Sequence, residues 1–222
     1  MNDSCYYCGC EATSEEHVPP RAIFPKLKDS PDGRDYRKGL IKVPSCALHN
    51  MGKSREDEYL LYVLVMSLPS NKLANSQFLT KVRRAIERRP KLLESLLLKT
   101  QEVVVHDTVS DKWHKTLAIL PDENRLVGIF TCIAKALYFY EKSCTWQGQI
   151  SVMIEFMLSF DDLAMNERQG ELEQQLNAML SSVPLKGENP DVFSYQFVEL
   201  DSKSFVRLYF YGGNRVAAVY VA

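Results

Sequence analysis

Two short pairs of metal-binding residue types lie near the start of the 222-residue chain. Cys5-x-x-Cys8 has the spacing of two thiols on one tight turn, and Cys46-x-x-His49 has the spacing of a thiol and an imidazole on one face of a helix. Two such pairs supply the four sulfur and nitrogen donors of a tetrahedral structural zinc site. The sequence therefore predicts a zinc ion bound by these four residues. The alternative is a cluster of free thiols beside an unrelated histidine.

The remaining cysteines leave this prediction unchanged. Cys10 could replace Cys8 as a ligand, although the two-residue spacing favours Cys8. Cys132 and Cys144 lie in an apolar stretch that is expected to be helical.

The first residues contain no basic segment followed by an apolar one. We therefore expect no secretory signal, reduced cysteines and a cytoplasmic protein.

Composition and charge narrow the class of protein. Hydrophobic residues make up 45% of the chain and charged residues 25%, as in soluble globular proteins. The longest apolar runs, 60–66 and 150–158, are shorter than the ~20 residues that span a bilayer, so no membrane partner is expected. Residues 1–99 contain 17 Lys and Arg against 12 Asp and Glu, whereas residues 150–222 contain 5 against 10. A basic front half and an acidic back half are compatible with nucleic acid contacting the front half only.

A second group of polar residues lies between and beside the two pairs. Glu16 and His17 come just before two prolines, and Asn50 directly follows His49. A histidine with a near-neutral pKa can activate water as a general base. A carboxylate and an amide supply the oxygen ligands that a hard ion such as Mg²⁺ prefers. The alternative for His17 is a histidine that caps a turn and has no catalytic role.

The order Cys-x-x-Cys, acidic-His, Cys-x-x-(Cys/His)-Asn resembles the HNH endonuclease family, the ββα-metal nucleases. The resemblance covers about residues 3–60. It implies that His17 is the general base, that Glu16 and Asn50 bind a catalytic Mg²⁺ or another divalent ion, and that the zinc is structural. It also implies metal-dependent hydrolysis of phosphodiester bonds in DNA. Small members of the family often belong to bacterial defence or mobile-element systems.

The chain departs from the family pattern at two points. Glu16 stands where the family usually has Asp, which is one methylene shorter. The middle Asn of the motif has no counterpart, since Ile41 and Lys42 stand just before the Val-Pro-Ser-Cys stretch where it should fall. That Asn mainly braces the loop in the family, so its absence concerns the geometry of the site more than its chemistry.

Asp57 is a further candidate carboxylate. It follows Asn50 by seven residues and therefore returns to the same helix face. The alternative is a solvated helix charge beside Lys53 and Arg55, and that alternative is favoured.

Basic residues near this motif are candidates for contacts with the phosphates of DNA. The candidates within the first segment are Arg21, Lys26 and Lys28. The candidates on a later helical stretch are Arg83, Arg84 and Arg88, within the basic set Lys81, Arg83, Arg84, Arg88, Arg89 and Lys91. A solvated amphipathic face is the alternative explanation for the later set.

The predicted fold class is α+β, in three parts. An N-terminal zinc-stabilised ββα (treble-clef-like) finger occupies 1–67, a helical connector 68–100, and an α+β accessory domain with a mostly antiparallel sheet 101–222. Hydrophobic periodicity predicts helices at about 45–66, 75–89, 91–99, 126–140 and 167–180. It predicts strands at 102–106, 113–120, 150–158, 192–200, 205–211 and 216–221, with a hairpin turn at 212–214.

Two rival functions stay open at this point. The first is a catalytically inactive zinc-bound module that binds nucleic acid or protein, which the missing middle Asn favours. The second is an interaction protein in which the finger supports the larger, acidic second half. If the protein is the nuclease, the C-terminal domain could form a homo-oligomer, bind a partner protein or regulate the nuclease.

Overall fold

The computed structural model of the chain describes residues 4–50, 53–89, 100–107, 111–200 and 203–221. The helix predicted at 91–99 lies outside these ranges. Within them, helix and strand are mixed and every pair of neighbouring strands in a sheet is antiparallel. None of the helices in these ranges is long and apolar enough to cross a membrane.

The strands of the described residues form a hairpin of β1 and β2, a hairpin of β3 and β4, and a five-stranded sheet in the order β5-β9-β8-β7-β6. The strands are β1 (Ser14–Val18), β2 (Ile41–Ser45), β3 (Thr100–Asp107), β4 (Lys112–Ile119), β5 (Gln149–Ile154), β6 (Lys186–Asn189), β7 (Phe193–Leu200), β8 (Lys203–Phe210) and β9 (Asn214–Val221). The helices are α1 (Ala47–Asn50), α2 (Ser54–Met66), α3 (Lys72–Gln77), α4 (Arg83–Arg88), α5 (Glu123–Lys142) and α6 (Leu163–Leu180). A π-helical segment, Phe78–Val82, joins α3 to α4, and short 3-10 turns lie at Arg21–Ile23 and Leu27–Asp29.

The elements differ from the sequence predictions where local chemistry outweighs periodicity. The helix predicted from about 45 to 66 is two helices, α1 and α2. The helix predicted from 75 begins at Lys72, because the side chain of Asn71 caps it by accepting hydrogen bonds from the backbone N–H groups of Leu73 and Ala74. Strand β6 was not predicted, because its sequence, KGEN, contains no apolar alternation.

The five-stranded sheet lies between α5 and α6. Successive side chains of β8 point to opposite faces. Val206 and Leu208 join the main hydrophobic cluster on the α5 side. Phe205 packs with Leu180 of α6 on the other side, and Arg207 donates a hydrogen bond of 2.7 Å to Asn177 of the same helix.

The β1–β2 hairpin packs into the same core as the sheet. The main cluster contains Val18 of β1, Val43 of β2 and Phe130 of α5. At the end of α3, the amide nitrogen of buried Gln77 donates to the backbone oxygen of Ile23 (2.6 Å) and to the hydroxyl of Tyr211 (2.9 Å). The division into 1–67, 68–100 and 101–222 stays a prediction, and the core contains residues of all three parts.

Candidate metal centre and the adjoining polar site

A tight turn after the first residues presents the first pair of ligands. The backbone N–H of Cys5 donates to the oxygen of Cys10 (2.7 Å), and that of Gly9 donates to the oxygen of Cys5 (2.9 Å). Gly9 has a φ of +75°, which a glycine adopts without the strain of a side chain. The turn therefore brings the thiols of Cys5 and Cys8 to the same side.

The second pair comes from the junction of β2 and α1. The backbone N–H groups of His49 and Asn50 both donate to the oxygen of Cys46, at 3.1 Å. This single helical turn sets Cys46 and His49 on one face. The four residues of the two pairs then converge, and we refer to them as the Cys–His cluster.

The geometry of the Cys–His cluster fits a tetrahedral metal ion. The sulfur of Cys5 lies 3.8 Å from Nδ1 of His49, and the sulfurs of Cys8 and Cys46 lie 3.9 Å apart. All four ligand atoms lie within 4.8 Å of one another. Zinc–sulfur bonds of about 2.3 Å in a tetrahedron place two sulfurs about 3.8 Å apart. The cluster can therefore hold an ion such as zinc; Cys10 is exposed and lies outside it.

Two local effects prepare these ligands for a metal. Burial disfavours ionisation of Cys5, but backbone N–H groups of Cys46, Cys8 and Tyr7 outweigh it and lower the pKa of the Cys5 thiol to about 6. The thiolate, which binds metals, is thus the main form at neutral pH. The ring of His49 stacks on Tyr7 with 4.3 Å between centroids, which fixes its orientation.

Strand β1 places its polar residues on two faces. Side chains alternate along a strand, so Ser14 and Glu16 share one face and Glu15 and His17 the other. The amide nitrogen of Asn50 donates to the hydroxyl of Ser14 at 2.8 Å. The structure therefore brings Asn50 to the face that carries Glu16, while His17 points to the opposite face.

Lys53 holds the carboxylate of Glu16. Its ammonium donates to both Glu16 oxygens, at 2.8 and 2.9 Å, and to the hydroxyl of Tyr6 at 2.7 Å. The side chains of Lys53 and Glu16 are only 23% and 15% exposed. All three N–H groups of the ammonium are thus hydrogen-bonded inside a half-buried site.

Asp57 belongs to the same site. Its backbone N–H donates to the oxygen of Lys53 at 2.8 Å, so the two residues are neighbours one helical turn apart. Burial, followed by the negative charge of Glu16, raises the pKa of the Asp57 carboxyl to about 6. We call Glu16, Lys53 and Asp57 the Glu–Lys–Asp cluster.

The carboxylates of this cluster and the amide of Asn50, on the same face of β1, fit a divalent ion in kind, since carboxylate and amide oxygens are ligands of Mg²⁺. The fit is incomplete in one respect. Lys53 engages both oxygens of Glu16, and the repulsion between like charges disfavours a second cation on the same carboxylate.

His17 lies in a positively charged environment. Burial, followed by the charges of Arg21 and Lys42, lowers the pKa of its imidazole below the ordinary 6.5. Lys42 also pairs with exposed Glu15, at 2.8 Å. His17 is therefore neutral at pH 7 and can accept a proton.

The predicted phosphate-contact residues fall into two kinds. The exposed ones are Arg21, Lys26, Lys28 and Arg88, together with Arg83, which pairs with Glu87 of its own helix at 2.9 Å. Arg84 differs, because it forms an ion pair of 2.7 Å with Asp29, whose side chain is 4% exposed. Arg84 thus ties α4 to the 3-10 turn at Leu27–Asp29.

The fold gives two lysines partners that the sequence did not predict. The ammonium of Lys81 donates to the backbone oxygen of Ala22; burial, then the charges of Arg37 and Lys26, lowers its pKa to about 8. Lys53 was named only as a neighbour of Asp57. Its spacing of four residues from Asp57, which is one helical turn, is the signal that could have placed it beside that carboxylate.

No protein-family model matches the chain, and neither a curated protein nor a solved structure matches it significantly. What the site can do is therefore inferred from its own residues.

Proposed function

We propose that the protein is a metal-dependent HNH-type endonuclease that hydrolyses phosphodiester bonds in DNA. The observation that carries the proposal is the convergence of Glu16 and Asn50, which lie far apart in the sequence, on one face of β1 beside the Cys–His cluster. His17, with its lowered pKa, occupies the next strand position.

In this proposal each group has one task. His17 accepts the proton of the attacking water, because a neutral imidazole with a pKa near or below 7 is an effective general base. Glu16 and Asn50 would hold the divalent ion, which when bound supplies positive charge to the phosphate in the transition state. Zinc at the Cys–His cluster would keep β1 against α1 and so hold these residues in place.

We place the substrate along the edge of β1 that faces away from β2. Among the described residues β1 pairs only with β2, so its other edge carries no partner strand. A phosphodiester along that edge would be approached by Glu16 from one face and by His17 from the other. Arg21 and Lys42, whose charges already act on His17, would attract the phosphate.

A cleavage assay on supercoiled plasmid tests the proposal. Zinc-loaded wild-type protein is incubated with Mg²⁺ or Mn²⁺. The His17→Ala and Cys46→Ser variants are prepared and incubated in the same way. His114→Ala serves as the matched control, since His114 is exposed on β4. Loss of a general base lowers a rate by about 10²–10⁴-fold, so His17→Ala should nearly abolish cutting and His114→Ala should leave it unchanged. Cutting that survives His17→Ala would refute the role of the base.

One observation favours a second candidate function, a zinc-bound module that binds nucleic acid or protein without cutting. Lys53 neutralises Glu16, the carboxylate that the endonuclease needs for its divalent ion. Wild-type protein that binds DNA but does not cut it with either ion would support this candidate. Protein that neither binds nor cuts DNA would instead favour an interaction role for the C-terminal half.

A further inference from the structure

Lys53 contacts both oxygens of the carboxylate that a divalent ion would use. One compact charge lies 2.8 and 2.9 Å from the two oxygens of Glu16, and its third N–H is satisfied by Tyr6. An ion bound to either oxygen would lie at about 2.0–2.1 Å from it, and so within about 5 Å of the ammonium. Two positive charges this close in a partly buried site repel each other, so each cation weakens the binding of the other at Glu16.

The negative charge of the site favours a bound cation. Glu16 and Asp57 bring two carboxylates to a half-buried position, and Lys53 offsets only one charge. Removing the ammonium alone would leave two uncompensated acids there, which is costly in a partly desolvated site. Replacing it by a doubly charged ion makes the cluster neutral, so release of Lys53 and arrival of the ion favour each other.

The position of Lys53 on its helix is not explained by helix stability. Lys53 is the N-cap residue of α2, and its side chain makes no capping hydrogen bond. A positive charge at a helix N-terminus is unfavourable, because the helix dipole is positive there. The long, partly exposed side chain can turn outward, and in that position it could meet a phosphate oxygen.

We propose that Lys53 is an internal competitor of the catalytic divalent ion, which binds Glu16 only when the Lys53 ammonium has left it. The inference rests on the proposed function for the identity of the ion. It adds a form of regulation that the sequence motif does not contain. The metal binds only after another anion, such as a DNA phosphate, has bound the Lys53 ammonium.

Mn²⁺ binding to the full chain with zinc bound tests this directly, since the electron paramagnetic resonance signal of free Mn²⁺ disappears on binding. Lys53→Met keeps the length of the side chain and removes its charge, and it should tighten binding by about tenfold or more. Lys186→Met removes a lysine from another carboxylate pair, with Glu141 at 2.6 Å, which lies outside the site, so its Mn²⁺ affinity should stay within about twofold of wild type. Adding Glu16→Gln to Lys53→Met should abolish the gain. A Lys53→Met affinity equal to that of wild type, or a gain that survives Glu16→Gln, would overturn the proposal.

Nuclear magnetic resonance of lysine ammonium groups tests the wild type without relying on a variant that must fold. The Lys53 ammonium should be observable because all its N–H groups are bonded, and Mg²⁺ should shift its signal while Na⁺ at matched ionic strength should not. A signal that stays unmoved up to the highest Mg²⁺ concentration at which the protein remains folded contradicts the competition. Both readouts measure binding. Tighter Mn²⁺ binding without DNA cleavage would thus refute the endonuclease alone, and cleavage without that gain would refute the role of Lys53 alone.

Discussion

Removal of zinc from the Cys–His cluster should destabilise the whole protein and not only its first 50 residues. The β1–β2 hairpin shares its hydrophobic core with α5 and the five-stranded sheet. In addition, the hydroxyl of Thr145 donates to the backbone oxygen of Cys5 at 3.3 Å. Loss of the ion therefore loosens a surface on which the C-terminal half packs.

The magnitude follows from linkage between metal binding and folding. Structural zinc binds with a standard free energy of about 10–16 kcal/mol. At a free zinc concentration of about 1 µM, about 8 kcal/mol of this is offset by the cost of taking the ion from dilute solution. Zinc at that concentration thus adds about 2–8 kcal/mol to the free energy of unfolding. For a chain of this length, about 2–4 °C per kcal/mol means that chelation lowers the melting temperature by at least about 4 °C.

Thermal unfolding followed by two probes measures this shift. Trp146 packs against Tyr138 and Tyr220, with 5.0 and 5.5 Å between ring centroids, so its fluorescence reports on the C-terminal sheet. A Trp113→Phe background leaves Trp146 as the only tryptophan, and circular dichroism reports on the whole chain. Both transitions should move down together on chelation.

Cysteine variants provide the control and the refutation. Cys46→Ser should lower zinc content and melting temperature, whereas Cys10→Ser should change neither, because Cys10 is exposed and outside the cluster. A melting temperature that is the same with and without zinc would refute the structural role of the ion. Suppose that chelation lowers the transition temperature seen by circular dichroism but leaves the one seen by Trp146 fluorescence unchanged. The hairpin and the sheet would then unfold independently.

Three further outcomes are expected. Because burial and nearby cations lower the pKa of His17, the imidazole stays neutral as the pH falls through 6.5. The kcat/KM for cleavage should therefore stay flat to below pH 6.5; an acid limb centred above 6.5 would contradict the assigned environment. Arg207→Met leaves the carboxylate of Glu155 buried and unpaired, since these side chains are 1% and 0% exposed, and should cost about 3–5 kcal/mol in urea unfolding. The double variant with Glu155→Gln should recover most of that loss, and no recovery would mean that the pair is not coupled. Arg84→Ala should lower stability without changing the salt dependence of DNA binding, whereas Arg21→Ala should reduce the salt slope by about one without lowering stability. If Arg84→Ala instead reduced the salt slope and Arg21→Ala lowered stability, Arg84 would be the DNA-binding residue and Arg21 the structural one.

The parts of the fold that were predicted correctly are those encoded by local patterns. The apolar helix α5 and the strands β7 to β9 follow hydrophobic periodicity, which sequence windows detect. The Cys–His cluster was predicted because a metal requires donors at short fixed spacings, and two such pairs lie in the chain. The polar strand β6 has no such pattern and was missed.

The contacts that give the site its character are not local. Lys53 and Glu16 lie 37 residues apart, and no spacing rule links a strand residue to the ammonium of a later helix. Arg84 has the sequence context of a phosphate-binding residue, yet the fold commits it to a buried aspartate. Pairings of this kind depend on how elements pack, which periodicity does not encode.

The hydrogen bonds of Gln77 bear on when the site can form during synthesis. Gln77 and Tyr211 both donate to the backbone oxygen of Ile23, which lies in the turn that follows β1, and Tyr211 comes 188 residues after Ile23. Contacts of such high contact order form late, after the loop between them has closed. The turn that follows His17 can gain the hydrogen bond from Tyr211 only after Tyr211 has left the ribosome, so a shorter nascent chain carries His17 without this support.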